Sequence, residues 1–456
     1  MFSFIRALIQ NNELRRRLLF TVGLLFVCRL TSFVPVPGVN GEIALAYFRQ
    51  ATRAGQSLFQ LMDIFSGGAF AQMTLGALGV LPYVSASIML QLAVTLFPGL
   101  QRDFKENADY VRPKLARWTR YLTLLLALFQ SGVFARYALK INQSYPGILS
   151  TKVLSIRFFG CHALFYMLFV ATMTCGTLTI MWLGEQISES GVGVGTSLII
   201  SAGIVSSFPK MVSTILTYLN LDSSDPGDLG LLSLSLLICI FVLVIIGCIF
   251  LTQGERRLDL QYARKEHDRT PGRPRGSFLP LKVNHSGVMP VIFSSSILML
   301  PITLTQILGQ DGWGSVLMGY LSPGSLGYTA VYAVLIFFFN YFWTLTQFHA
   351  DQLASDMKKS GAFIPAIRQG LQTQRFLEKT MCSLTVIGGV SLIVLATFPQ
   401  LVGALFSVDH SVSYFFGGTS MLILVGVVLD TSRQVSGYLT MQRYEEVLKT
   451  PRSRLR

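Results

Sequence analysis

The amino-acid sequence predicts an all-α polytopic membrane protein, with ten transmembrane helices in two pseudo-symmetric five-helix halves. Three observations point there. Of 456 residues, 51% are hydrophobic and only 13% are charged, about half the charged share of a soluble globular protein; mean hydropathy is +0.53. Apolar runs of bilayer-spanning length recur along the whole chain. The basic residues between those runs alternate between rich and poor segments. This composition rules out disorder, collagen, coiled coil and a disulfide scaffold, and argues against a soluble enzyme.

A spanning helix needs about 20 mostly apolar residues. Nine segments meet this readily, at about 18–37, 74–97, 118–138, 158–182, 229–252, 286–308, 327–348, 379–402 and 414–433. The first follows Arg15, Arg16 and Arg17 and runs to about Pro35, too long for a cleavable signal and without an A-x-A site, so it reads as a retained span. A tenth segment, 195–211, reads GTSLIISAGIVSSFPKM and is short and serine-rich.

Charge decides whether that tenth segment spans. With ten spans and the N-terminus inside, 29 of the 37 Lys and Arg residues fall inside and seven outside, Arg29 lying within the first span. Without it, the eight basic residues of 253–286 move outside, which the positive-inside rule opposes. The weak segment therefore spans, with its place expected in the protein interior. Both termini are then cytoplasmic. Five spans per half is an odd number, so the halves 1–228 and 229–456 enter the membrane from opposite sides, as inverted repeats do. This rests on parity alone, because no internal sequence similarity accompanies it.

Several segments depart from plain spans. Residues 62–82 carry Gly67, Gly68, Gly76, Gly79 and Pro82, which break a single helix. Two readings stand: a short folded-back helix over about 64–73 with a spanning helix from about 76, or an outside loop followed by a kinked helix. The GVGVG run at 191–195 follows no strand, so it predicts close helix packing or a flexible entry to the span rather than a phosphate cradle. Arg29 lies near the outer end of its span, and P-V-P-G at 35–38 ends that helix close by, so its guanidinium is expected to reach outward to the interface. The basic loop 253–286 is longer than topology needs and fits either a topogenic role or docking of an acidic or nucleic-acid partner. The Gly and Pro spacing of 348–378 suggests a structured hairpin.

Chemistry is sparse. Cys28, Cys161, Cys175, Cys239, Cys248 and Cys382 all sit in apolar stretches with no C-x-x-C pair and read as small buried hydrophobes. No P-loop, H-E-x-x-H or G-x-S-x-G motif occurs, and the spans hold few carboxylates. No catalytic residue, metal site or cofactor is therefore expected. On the residues alone, a channel and an inverted-repeat transporter both remain open.

Long ordered motifs carry a family resemblance: RRRLLF at 15–20, FVPVPGV at 33–39, FSGGA at 65–69, LPYVSASIMLQL at 81–92, MWLGEQISESGVGVG at 181–195, LPLKVNHSGVMPVIFSSS at 279–296, KKSGAFIPAIR at 358–368, YFFGGTSMLI at 414–423 and QRYEEVLK at 442–449. With these the chain resembles the SecY family, the central channel subunits of bacterial protein translocases. The resemblance implies a protein-conducting channel that moves unfolded secretory polypeptides across the inner membrane and releases apolar segments sideways into lipid. It implies a pore ring at Val80, Val84, Thr196, Ile200, Ile292 and Ile423, Thr196 departing from the aliphatic pattern. It implies a plug from about Phe65 to Leu75, beginning Phe65, Ser66, Gly67, Gly68, Ala69 and Phe70, which favours the folded-back reading of that segment. A lateral gate between spans two and seven would bear Ser85, Ser87, Gln91 and Asn284. The loops 253–286 and 348–378 would dock the motor ATPase SecA or the ribosome through Arg256, Arg257, Arg264, Lys265, Lys358, Lys359 and Arg368, with a cytoplasmic tail over 434–456. The family pattern has a proline after the arginine where this chain has Gln369. Small membrane subunits, SecE and SecG, are the other implied partners.

Overall fold

The computed structural model describes residues 12–53, 63, 66–97, 99, 108–150, 162–218, 231–262, 277–308, 320, 325–406 and 418–449. Among them are ten helices of at least 16 residues: α1 (Asn12–Thr31), α3 (Leu81–Leu96), α4 (Ala108–Ser144), α5 (Ala163–Ser190), α6 (Gly195–Tyr218), α7 (Leu231–Gln253), α8 (Met289–Leu308), α9 (Leu326–Gln347), α11 (Leu371–Phe406) and α12 (Gly418–Lys449). Each overlaps one of the ten expected spans. Two shorter helices, α2 (Gly41–Arg53) and α10 (Ala350–Lys359), lie between them. Among the described residues, four helical stretches are long and apolar enough to cross a membrane: Pro113–Gln143, Ala163–Ser190, Leu326–Lys359 and Leu371–Phe398.

Local chemistry sets the helix ends. Pro82 stands in the first turn of α3, where a missing amide costs nothing. Ser325 caps α9, its Oγ accepting the Tyr328 amide at 3.1 Å. The doubtful tenth segment is a full helix, α6, running through Pro209 and flanked by α1, α5 and α12. That interior position is the one its weak hydropathy predicts.

The helices form two groups. In the first, α1 packs on α5 and α6, α3 on α4, and α4 and α6 on α5. In the second, α7 packs on α11 and α12, α8 on α9, and α9 and α12 on α11. Each pairing repeats the other in chain order; the additional α3–α5 contact has no counterpart among the principal pairings. The groups meet along α6–α12 on one side, and where α8 touches α3 and α4 on the other.

Two expectations need correction. The second span does not begin near residue 76: residues 67–80 are successive turns and the helix starts at Leu81. Gly67, Gly68, Met73 and Gly79 have φ of +67°, +91°, +50° and +55°, left-handed values that no α-helix accommodates. The segment 348–378 is not a hairpin. It holds α10, then a two-residue strand β3 (Ala362–Phe363). Ala350, Ala354 and Met357 recur at helical spacing and are buried, while Lys358 and Lys359 close the last turn, where cations suit the helix dipole.

The basic loops also build a small sheet beside the helical bundle. β1 (Glu255–Tyr262) pairs antiparallel with β2 (Ser277–Lys282), Glu255 opposite Lys282 and Leu260 opposite Ser277. β3 joins the far end of β1, Gln261 opposite Phe363 and Tyr262 opposite Ala362. Leu258, Leu281, Met357, Ile364, Leu377 and Met381 share one apolar core, so two loops distant in sequence form a single unit on α11.

Candidate functional site

The seam between the two helical groups is apolar. Ile88 of α3 and Ile200 and Ile204 of α6 belong to the same buried cluster as Ile292 of α8 and Ile423 of α12, with Val84 packed against it. Ile200, Ile292 and Ile423 are 5%, 5% and 1% exposed. Val80, also buried, precedes α3 and lines a small cavity with Arg29, Ser66, Ile180 and Ile199. Thr196 is half-buried, and its Cγ2 lies 3.6 Å from where a side chain on Gly184 of α5 would begin. The structure thus places Ile200, Ile292, Ile423 and Val84 together, and turns the methyl of Thr196 toward α5.

The segment after Ser66 is built from turns and anchored at many points. The Asp63 carbonyl accepts the Gly68 amide at 2.8 Å, and its Oδ1 accepts the Ala71 amide at 2.9 Å. Ser66 Oγ accepts the Phe70 amide at 3.0 Å. Beyond, the chain pairs with the FVPV run: the Leu75 amide donates to the Val34 carbonyl at 2.9 Å and the Val36 amide to the Met73 carbonyl at 3.3 Å. Phe70 stacks on Phe134 of α4 at 4.7 Å between centroids. On α5, the absent side chain of Gly176 makes room for the Leu75 carbonyl, which a Cβ there would overlap. Of the expected plug residues, Ser66, Gly67, Gly68, Ala69 and Phe70 fall in this unit; Phe65 lies outside the described residues.

Arg29 does not reach outward. Its Nη1 donates to the Ser66 carbonyl at 3.4 Å and its Nη2 to the Ala202 carbonyl of α6 at 3.3 Å. The sequence alone placed it in a span, which is itself a signal of function. The nearby helix end does not set its direction, because both partners of the guanidinium are carbonyls of other segments.

At the α3–α8 contact, the expected polar residues do not bond across. Gln91 Nε2 donates to Ser87 Oγ at 3.3 Å within α3. Gln91 Oε1 is buried without a hydrogen-bond partner. Ser85 is buried. Asn284 turns the other way: its Nδ2 donates to the Gly287 carbonyl at 3.0 Å and its Oδ1 accepts from Ser286 Oγ at 3.1 Å. Ser286 Oγ also bonds Asn340 of α9, whose Nδ2 reaches the Thr385 carbonyl of α11 at 2.8 Å. This buried network clamps the approach to α8 onto its own helical group.

The GVGVG run is a tight helix-to-helix turn. Its amides are taken by side chains: Val192 donates to Thr21 Oγ1 at 3.0 Å, Gly193 to Gln434 Oε1 at 2.7 Å and Gly195 to Ser188 Oγ at 2.9 Å. A Cβ on Gly195 would overlap the Gly184 carbonyl, so glycine sets the α5–α6 approach. Nearby, Leu14 of α1 and Val435 of α12 share a small core with Val192. The start of α1 and the later part of α12 therefore meet at one end of the bundle.

The basic surface sits on the sheet unit. Arg256 and Arg257 are exposed on β1, Arg257 Nε donating to Glu255 at 2.8 Å and its guanidinium lying 4.8 Å from the Phe278 ring. Lys358 and Lys359 are exposed at the end of α10, and Arg368 is exposed beyond β3. Arg264 and Lys265 lie outside the described residues.

This helical fold has known counterparts. A family model described as SecY matches residues 74–432. The chain is 50% identical over 449 residues to the protein translocase subunit SecY of Chlamydia muridarum, covering 98% of each. It is 36% identical over 440 residues to that of Escherichia coli K12, covering 96% of this chain and 94% of the other. A structure described as that of a protein conducting channel superposes with a TM-score of 0.61 at 18% identity, over 92% of this chain and 91% of that one. The canine Sec61 channel in a ribosome complex gives 0.57 over the same shares. Fold and relatives define the class: a helical membrane protein that conducts polypeptides, a channel subunit rather than an enzyme. Within that class, the chain belongs to the SecY family.

Proposed function

We propose that unfolded polypeptides pass through the apolar seam, with Val80, Val84, Thr196, Ile200, Ile292 and Ile423 as its constriction. The observation that carries this is the one buried cluster that includes Ile200, Ile292 and Ile423, with Val84 against it, and spans both helical groups. An aliphatic constriction excludes ions by dewetting, and its soft walls close around side chains of many shapes. The turn segment from Ser66 to Leu75 is the plug on that constriction, in keeping with a solved relative described as having a plug domain that stabilises the closed channel.

The way out to lipid lies between α3 and α8, at one of the two junctions between the groups. Transfer of an apolar signal segment from water into lipid yields about 0.8 kcal/mol per buried CH2, enough to offset parting two helices where Ser85, Ser87 and Gln91 make no hydrogen bond across to Asn284. The exposed cations Arg256, Arg257, Lys358, Lys359 and Arg368 share one face-forming unit, which suits docking of a ribosome or of the motor ATPase SecA. Solved relatives include ribosome-bound channels. SecE and SecG are the membrane partners this reading requires. The location is a bacterial inner membrane with both termini cytoplasmic; the side bias of the basic residues and the meeting of α1 with α12 support it.

A photoreactive side chain at Val84, with a secretory precursor stalled in transit, tests the path. An adduct that requires a functional signal segment is the expected result. Absence of an adduct in a preparation that still exports the precursor would place the polypeptide elsewhere.

A further inference from the structure

We propose that Arg29 is the latch of the closed channel, tying the plug turn to α6 until a polypeptide arrives. The inference rests on the reading of 66–75 as the plug. Arg29 extends from the last turns of α1 into the protein and grips two carbonyls on different elements, Ser66 at 3.4 Å and Ala202 at 3.3 Å. Ser206 Oγ of α6 donates to the Gly203 carbonyl of its own helix at 2.9 Å and lies 3.4 Å from the next plug carbonyl, that of Gly67. The plug turn is thus joined to α1 and α6 chiefly through Arg29.

The geometry is specific to this pair of residues. Gly67 has φ +67°, and a Cβ built on it would overlap the Arg29 guanidinium. Glycine there serves both the backbone and the arginine lying over it. Among the described residues, no carboxylate lies within 4.0 Å of Arg29, and its guanidinium bonds the two carbonyls. A guanidinium stays charged under all physiological conditions and is costly in an apolar cavity. That cavity is largely apolar, lined by Leu25, Cys28, Val80, Ile180 and Ile199, with Ser32 and Ser66 beside them. In the closed state the two carbonyls compensate the burial. When the plug departs, the Ser66 carbonyl leaves and water entering the pore solvates the cation instead. Arg29 is therefore stable in both states and binds the plug in only one, which is what a two-state element requires.

Resting ion conductance of the complete channel complex in planar bilayers, with no precursor present, tests this. Arg29→Met is expected to raise the leak about tenfold, as loss of charge-assisted hydrogen bonds from the closed state alone requires. Gly67→Ala should raise it similarly by displacing the guanidinium, and the double variant should leak no more than the stronger single one. Arg29→Lys, which keeps the charge but reaches one carbonyl at a time, should fall between. Export of precursors with crippled signals should rise in parallel, a gain that mere destabilisation does not produce. Unchanged leak in Arg29→Met at normal abundance overturns the latch. Should that variant fail to accumulate, unchanged leak in Gly67→Ala overturns it. Deletion of 66–72 separates the two ideas. If the deletion leaks and the point variants do not, the latch is wrong and the plug stands; if the deletion does not leak, the plug reading itself fails.

Discussion

At the scale of single residues, glycines and one arginine decide what hydropathy cannot. Gly176 of α5 and Gly195 of α6 each sit where a methyl group would overlap a backbone carbonyl, that of Leu75 and that of Gly184. Backbone cannot yield as a flexible side chain can, so Gly176→Ala is expected to unseat the turn segment at Leu75 and destabilise the protein by about 1–3 kcal/mol. Gly132→Ala is the control, since nothing lies within 4 Å of a methyl group there. Thermal unfolding of the purified complex compares them, and equal midpoints would show that the turn segment does not depend on the Gly176 contact. Gly176 was invisible in the sequence, because its reason is a carbonyl a hundred residues away in the chain. Arg29 was visible as an anomaly, but its direction was not: the helix end is local, whereas the carbonyls of Ser66 and Ala202 arrive only with the tertiary fold.

At the scale of elements, the helices followed the sequence and the connecting pieces did not. Twenty apolar residues in a row leave the backbone no partner but itself, which makes a helix inevitable. The turn segment 67–80 obeys no such rule; its shape comes from left-handed residues and from pairing with Val34 and Val36. β3 is two residues long and exists only because β1 offers it an edge. The α3–α8 contact shows the same limit. Its polar residues were legible, but their partners were not, and Asn284 bonds within its own group instead of across to α3. Gln91 Oε1 is left buried without a partner, which costs about 1–3 kcal/mol. Gln91→Leu is therefore expected to stabilise the closed contact by about 1–2 kcal/mol and to slow signal-driven opening about tenfold. A raised unfolding midpoint with slower export is the expected pair of results. A lowered midpoint would mean that Gln91 has a partner in the membrane.

At the scale of the whole molecule, two helical groups with matching internal pairings meet at two unequal junctions. α6 and α12 meet through the apolar seam, while α8 touches α3 and α4. If the molecule opens as two bodies about the α6–α12 side, a covalent tie between α3 and α8 should abolish release of apolar segments into lipid. The same tie between α6 and α12 should spare it. Paired cysteines with and without oxidant, scored by membrane insertion of a reporter segment, make the comparison; the reverse pattern would exchange the hinge and the gate. The sequence by itself determined the class, the order and number of long helices and the charge bias between them. Each follows from how a stretch of residues partitions between water and lipid, which is a local property. Only the tertiary structure decided that residues 67–80 are turns rather than helix, that Arg29 faces inward, that two basic loops form one sheet, and which polar groups bond. Those outcomes depend on hydrogen-bond partners and steric gaps supplied by residues far apart in the chain, and no local pattern carries them.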